Sequence, residues 1–313
     1  MGSEMCIRDR QEGVSIRFTE LGKIEIRVGT ESNGQGHETT FKQIASTRLG
    51  VPIEVLEYIQ ADTEQVTIGF GHGGARSMHM GAGTMALAID SAIEKAGRVA
   101  ATLLQTDIEE LSFDKGAFLT RKDQRSVSII EVASAARNSD VMPSLGENGI
   151  DTFYKREEAP FTFPNGCHAA EVEIDPDTGS LTLVNYVMVD DYGSLVNPAL
   201  TEGQLHGGVV QGIGQALEEF VAFDPETGQL LSGSLMDYTA PRAASFPFFK
   251  AHFQGVPTEA NLLGVKGVGQ AGCIVAPQVI THAVLNALQE YNIDHIQMPI
   301  TSQSLWRSIQ AAS

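Results

Sequence analysis

Glycines at paired spacing are the first feature of this sequence with chemical content. Gly69, Gly71 and Gly74 fit the pattern G-x-G-x-x-G, and Gly267, Gly269 and Gly272 fit it again. Glycine leaves backbone N–H groups uncovered and lets a ligand approach closely. A helix starting just behind such a loop adds partial positive charge at its N-terminus, so each cluster could hold an anion. Glutamine recurs in the frame Gly-Gln-x-His, at Gly34-Gln35-Gly36-His37 and at Gly203-Gln204-Leu205-His206. Its amide offers both a donor and an acceptor. Arg76 and Ser77 follow Gly73-Gly74-Ala75, and several such loops with Gln, His and Arg side chains point toward a large polyanionic cofactor. Taken singly, each feature has a plainer reading: tight turns, satisfied loop amides, and histidines (His37, His72, His79, His206) that serve as structural hydrogen-bonders.

A nicotinamide-dinucleotide fingerprint is the obvious interpretation, and it fails on context. That motif follows a hydrophobic strand and needs an acidic residue about 20 residues on, at the end of the next strand. Only Val66-Thr67-Ile68 precedes Gly69, and the acidic residue at the right distance, Asp90, falls inside a long helical pattern. Asn261-Leu262-Leu263 is a poor strand before the second match. The anion-binding physics survives; the dinucleotide reading does not.

The 313 residues are 42% hydrophobic and 19% charged, enough for one large globular domain or two packed ones. Lys and Arg total 21 against 39 Asp and Glu, a formal charge of −18. That field disfavours nucleic acid and anionic lipid, so an anionic cofactor would need local donors. Cys6, Cys167 and Cys273 are far apart with no CxxC pair. They suit a reducing, cytoplasmic compartment, with Cys167 and Cys273 expected as buried, inert thiols. No apolar run approaches the roughly 20 residues of a membrane span. Residues 1–13 read as a non-native or truncated leader, with the native chain starting near Val14.

The elements that would position these groups follow from periodicity. Ser15–Phe18 and Lys23–Val28 alternate around Leu21-Gly22 as a hairpin. Thr39 or Thr40 is expected to cap a helix carrying Phe41, Ile44, Ala45 and Leu49, ended by Gly50. Ile53–Gln60 reads as a strand. Gly69–Gly83 leads into a helix through Met85, Ile89, Ala92, Ile93, Ala96, Val99, Ala100 and Leu103. Short strands are expected near Val127–Val132, and a loop at Pro143–Gly149. The second half restarts with a hairpin across Asp175-Pro-Asp-Thr-Gly179, then a helix after Pro198 carrying Leu205, Val209, Ile213, Ala216, Leu217 and Phe220. A turn at Asp224–Gly228 follows, and a last helix runs after Pro277 through Val279 to Tyr291. The halves echo one another, and strands and helices mix without strict alternation. The expected class is α+β, with mixed sheets packed with helices in two similar subdomains, 14–160 and 161–313.

Five segments in order resemble the molybdopterin-binding large subunit of the molybdenum hydroxylases, the xanthine dehydrogenase, aldehyde oxidase and carbon monoxide dehydrogenase family. They are Gly34–Thr39; Gly73–Ser77; Asp191-Tyr-Gly-Ser-Leu-Val-Asn-Pro198; Glu202–Gly208 with Gln211-Gly-Ile-Gly214; and Gly264-Val-Lys-Gly-Val-Gly-Gln-Ala-Gly272. Met298-Pro-Ile-Thr301 and Trp306 fit the closing segment, so the resemblance runs from about Val14 to the end. It implies a molybdenum–molybdopterin cofactor, in the cytosine dinucleotide form, with no protein ligand to the metal. Iron–sulfur and FAD groups would sit on partner chains, in a dimer of heterotrimers. By position, Gly34, Gln35, Gly36 and Gln204 would meet the pterin or the metal's oxo ligand. Gly74, Ala75, Arg76 and Ser77 would grip the pyrophosphate or nucleotide, and Gly267 and Gly269 would lie beside the metal.

The family's general base is a glutamate in Gly-x-Gly-Glu, and at that position this chain has Gln270. A carboxamide cannot accept a proton, and a positioned base contributes roughly 10²–10⁴ in rate. The family's large subunit also has an earlier stretch that forms the other wall of the site. The sequence thus implies an oxidoreductase fragment acting on an aldehyde, an N-heterocycle or a similar small molecule. The alternative is a non-catalytic paralogue kept for cofactor binding or assembly.

Overall fold

The computed structural model describes residues 11–138 and 149–312, so Cys6 and residues 143–148 of the expected loop lie outside the described residues. The chain divides into two compact units, residues 1–162 with 257–267, and residues 163–256 with 268–313.

The first unit opens on β1 (Glu12–Phe18) and β2 (Ile24–Val28), an antiparallel hairpin. Val14, Ile16 and Phe18 alternate with Ile24, Ile26 and Val28 to bury one apolar face, as a period of two requires. Helix α1 (His37–Leu49) buries Phe41, Ile44, Ala45 and Leu49, and ends at Gly50 in the left-handed region, φ 64°. Its start differs from expectation. No side chain caps it; Gly36, itself left-handed at φ 78°, occupies that position, and Thr40 Oγ1 bonds back to the Gly36 and His37 carbonyls. The segment after Pro52 is a short 3₁₀ turn, Ile53–Val55, followed by a four-residue β3 (Leu56–Ile59) parallel to β2.

A π-helical turn, Ser77–Ala82, leads into α2 (Gly83–Leu103), whose Met85, Ile89, Ala92, Ala96, Val99 and Ala100 are buried. A small sheet follows: β4 (Leu111–Asp114), β5 (Ala117–Thr120) and β6 (Ser126–Ser128). The expected strand at Val127–Val132 is corrected to the end of β6 and a helix, α3 (Ile129–Ala136). Ser128 and Glu131 form a reciprocal capping box that starts a helix there. β7 (Thr152–Arg156) then pairs antiparallel with β1, giving the sheet order β3-β2-β1-β7. Glu12 and Gly13, grouped above with the leader, pair with Arg156 and Lys155 and belong to this sheet.

The second unit repeats the plan. β8 (Asn165–Ile174) and β9 (Leu181–Asp191) form an antiparallel hairpin. Helix α4 (Pro198–Leu217) follows, with Asn197 Oδ1 accepting from the Leu200 N–H at its cap. Phe220 lies beyond this helix and is exposed. β10 (Lys250–Phe253) is parallel to β9, giving the order β10-β9-β8. Helix α5 (Ala271–Ala287) begins before Pro277 rather than after it, and α6 (Ser302–Ala312) closes the chain. Each half of the chain therefore runs hairpin, helix, a strand parallel to the second hairpin strand, glycine loop and helix, although residues 257–267 of the second glycine loop pack into the first unit. The cores are apolar: in the second unit Tyr186, Met188, Leu205, Val209, Ile213, Ile280 and Val284 are fully buried.

Two glycines on α4 let α5 approach closely. A Cβ on Gly212 would come within 2.9 Å of the Ala276 Cβ and the Cys273 carbonyl, and one on Gly208 within 3.2 Å of the Cys273 nitrogen. The thiols depart from expectation: Cys167 is exposed and Cys273 partly so. Cys167 falls on the outward phase of β8, where alternation sends every second side chain to solvent.

Candidate functional site

The first unit gathers three glycine-bearing stretches. Residues 29–36, between β2 and α1, run against residues 69–77. Gly29 and Gly69 pack backbone to backbone with no room for a Cβ on either. Thr30 Oγ1 lies 2.8 Å from Ser77 Oγ, buried, and a Cβ on Gly81 would stand 2.6 Å from the Thr30 methyl. His72 bridges the same loops, with Nδ1 3.1 Å from Glu31 Oε1 and Nε2 3.4 Å from Asn33 Nδ2. The third stretch arrives at Gly267, where a Cβ would meet the Ala75 Cβ and carbonyl oxygen at 2.7 Å each. Asn261 folds this stretch on itself by accepting from the Leu263 and Val265 N–H groups, and Arg156 ties it to the unit by donating to the Ala260 carbonyl.

Within the first loop, Gln35 Oε1 accepts from the Asn33 N–H (2.7 Å) and from Ser32 Oγ (3.2 Å). Its Nε2 donates to no group among the described residues. Gly34 has φ 120°, and a Cβ there would meet nothing within 4 Å. In the second loop Gly71, Gly74 and Ala75 are left-handed, at φ 71°, 74° and 56°. Such residues interleaved with right-handed ones draw successive N–H groups into an anion-binding concavity. Arg76 is buried and turned inward. It pairs with Glu12 Oε2 at 3.0 Å and donates to the carbonyls of Gly71 (2.8 Å) and Gln11.

Several buried polar atoms along these loops are left unsatisfied by the described residues: His37 Nδ1 at the start of α1, His79 Nδ1 in the π-helical turn, and Thr84 Oγ1 in the first turn of α2. Buried polar groups are nearly always paired, so such atoms call for an ordered water or a bound polar group as partner. Burial pushes His37 and His79 down to about 4. His72 reinforces this at His37, and Arg156 and Arg76 at His79. Both imidazoles are neutral near pH 7 and offer hydrogen bonds rather than charge. Glu12 moves the other way, up to about 7, because burial outweighs the pull of Arg76 and the Gly13 N–H.

The second unit holds Gln204, Gly269 and Gln270. The Gly-Gln-x-His frame recurs here inside α4 rather than in a loop, because Asn197 and Pro198 start the helix six residues earlier. Gln204 is half-buried on α4 and makes no hydrogen bond among the described residues. Gly203 and Gly207 beside it face open space, with nothing within 4 Å of an added Cβ. A buried ring nitrogen, His206 Nε2, is 3.8 Å from Glu202 Oε1 and otherwise unpartnered. The Leu205 carbonyl and Val209 nitrogen lie within 2.8 Å of where a Gly272 Cβ would stand, so this part of α4 abuts the start of α5. Gln270 occupies the N-cap of α5 without capping it, its side chain half-buried. The structure thus brings Gly34, Gln35, Gly36, Gly74, Ala75, Arg76, Ser77 and Gly267 together in the first unit, and Gln204 and Gln270 near one helix junction in the second. Glu12, Glu31 and Asn33 escaped the sequence reading as site-building residues, whereas His72 serves as the structural hydrogen-bonder expected of it.

Among the described residues no group of three or more His, Cys, Asp or Glu is placed to hold a metal ion, and no helix is long and apolar enough to cross a membrane. The donor set here consists of amides, hydroxyls, neutral imidazoles and glycine backbone, with Arg76 paired to Glu12 and the Glu31 carboxylate beside His72. It fits a polar, anionic organic cofactor.

Comparison with known proteins points the same way. The model of the molybdopterin cofactor-binding domain matches residues 1–247. The carbon monoxide dehydrogenase large chain of Hydrogenophaga pseudoflava is 31% identical over 96% of this chain and 37% of its own. The nicotine 6-hydroxylase large subunit of Paenarthrobacter nicotinovorans is 32% identical over 94% of this chain and 36% of its own. The structure of reconstituted CO dehydrogenase from Oligotropha carboxidovorans superimposes with a TM-score of 0.89 at 30% identity, over 96% of this chain and 37% of that one. The chain therefore spans a little over a third of the length of these relatives. By this match and by its loops, the chain belongs to the molybdopterin cofactor-binding domain family of xanthine dehydrogenase and carbon monoxide dehydrogenase type.

Proposed function

We propose that this chain is the cofactor-holding part of a molybdenum hydroxylase large subunit that oxidises an aldehyde, an N-heterocycle or a similar small molecule. The observation that carries the reading is the meeting of residues 29–36, 69–77 and Gly267 in one unit. The relatives named above act, by their names, on carbon monoxide and nicotine, which supports small-molecule oxidation without fixing the substrate.

When bound, the molybdenum–molybdopterin group supplies the two-electron redox chemistry. The chain's residues bind and orient it. Gln35, its Oε1 engaged within its own loop, donates through Nε2 to the pterin, with Gly34 and Gly36 allowing close approach. The 71–77 backbone takes the pyrophosphate of a cytosine dinucleotide form. Arg76 and Ser77 serve this grip through the backbone they brace, since their side chains bond to Glu12 and Thr30. Gln204, beside the open positions Gly203 and Gly207, offers its amide as a cofactor contact of the second unit. Gln270 stands where the family has its base, and it can orient a substrate or a water by hydrogen bonding but cannot take up a proton. Iron–sulfur and flavin chains, assembled as a dimer of heterotrimers, would carry the electrons away. Acid release of the organic cofactor from the assembled protein tests the form proposed: stoichiometric CMP is expected, and its absence would refute the dinucleotide assignment.

Gln270 is also the observation that favours a second reading, a non-catalytic relative that binds the cofactor without turnover. A measurable wild-type rate on any aldehyde or N-heterocycle would exclude it.

A further inference from the structure

Glu12 enters the reading above only as the partner of Arg76, yet its carboxylate is fully buried on the first residue of β1. A carboxylate is retained in an apolar interior only where partners hold it. Oε1 accepts from the Gly13 N–H at 3.2 Å and lies under the Gly29–Gly69 crossing, and Oε2 is ion-paired with Arg76 Nη1 at 3.0 Å without a well-directed hydrogen bond. The same guanidinium donates to the carbonyls of Gly71 and Gln11, so it closes the turn that contains the left-handed Gly74 and Ala75 and ties it to the start of β1. Ala75 at φ 56° is strained by roughly 1–2 kcal/mol, and a loop with three left-handed residues keeps that shape only if something holds it. Gly267 rests on Ala75, so whatever fixes Ala75 also sets the seat of the third loop.

We infer that Glu12 is a positioning residue for cofactor binding: through its buried pair with Arg76 it holds residues 71–76 in the conformation that grips the cofactor's anionic group. The inference rests on the proposed function and deepens it. Glu12 touches no ligand; it acts on the cofactor through Arg76 and the backbone.

A structural role and a positioning role separate on one comparison. Removing the charge alone, as in Glu12→Gln, strands a buried cation and can unfold the unit. Replacing both partners by apolar side chains of similar volume, Glu12→Leu with Arg76→Met, commonly keeps stability while abolishing the clasp. Arg76→Lys keeps the charge pair but lacks the planar fork that reaches Glu12, Gly71 and Gln11 together. The assembled, cofactor-loaded protein would be prepared as wild type, the apolar double variant and Arg76→Lys. Pterin retained after extended dialysis would be read beside the melting temperature. The expected result is near-wild-type melting with at least tenfold faster pterin loss in the double variant, and an intermediate rate for Arg76→Lys. If either variant that folds keeps pterin as wild type does, the inference is overturned while the proposed function stands. Wild-type protein without pterin would overturn the proposed function itself, and the inference with it.

Discussion

Gly267 lies so close to Ala75 that a Cβ added to it would stand 2.7 Å from both the Ala75 Cβ and the Ala75 carbonyl oxygen. Two glycine loops 192 positions apart in sequence (267 − 75) thus share one point of support. Gly267→Ala is expected to destabilise the first unit by roughly 1–3 kcal/mol, the range for forcing a methyl into packed structure. Ala75→Gly in the same molecule should recover part of that, because it removes one clashing atom and relieves the left-handed alanine. Chemical denaturation of the single and double variants checks this. Equal stabilities would show that the loops can part without penalty.

Gln270 sets the expected catalytic behaviour. Gln270→Glu in the assembled enzyme should raise kcat by roughly 10²–10⁴ on a substrate that wild type turns over slowly, the worth of a positioned general base. The measurement is steady-state turnover of an aldehyde and an N-heterocycle. No gain in the variant would mean that more than the proton acceptor is missing.

The pH dependence of stability follows from three buried groups. His37 and His79 have folded values near 4, below the ordinary 6.5. The stability they contribute is complete above pH 6.5 and is lost as the pH falls toward 4. Glu12, raised from 4.5 to about 7, acts oppositely: its contribution is present below pH 4.5 and is lost as the pH rises toward 7. Two histidines against one glutamate leave a net uptake of about one proton on unfolding near pH 5.5, about 1.4 kcal/mol of stability gained per pH unit. His79→Leu should flatten that slope. Urea midpoints at pH 5 and 6 measure it, and a wild-type midpoint that falls as the pH rises would contradict the assignment.

Glycines of α4 divide by what surrounds them. Gly212→Ala meets Ala276 and the Cys273 carbonyl at 2.9 Å and should destabilise the second unit. Gly207→Ala meets nothing within 4 Å, and replacing a helical glycine should stabilise the cofactor-free protein by about 0.5–1 kcal/mol. If that open face is kept for the cofactor beside Gln204, the same substitution should lower cofactor content. Thermal melts and pterin assays on one preparation separate the two effects.

Much of this fold was legible because its signals are periodic. The alternation of Val14, Ile16 and Phe18 and the helical spacing from Met85 to Val99 each give one answer. Local punctuation was harder. Ser128 and Glu131 carry a capping box that a run of β-branched neighbours concealed, and Pro277 looked like a helix start although it lies inside α5. Lys115 and Gly116, both left-handed, make a hairpin turn between β4 and β5 that was not anticipated. The site residues followed the same division. Gly34, Gln35 and the 73–77 loop stand out by composition. Glu12 does not: its importance comes from a partner, Arg76, that the sheet brings to it across 64 positions of sequence, and a single glutamate near a chain end carries no local pattern.

Molybdenum and pterin content of the assembled protein is the most direct test of the central claim. Metal analysis and oxidised-pterin fluorescence should find about one molybdenum and one pterin per copy of this chain. Correctly folded, assembled protein free of both would contradict it.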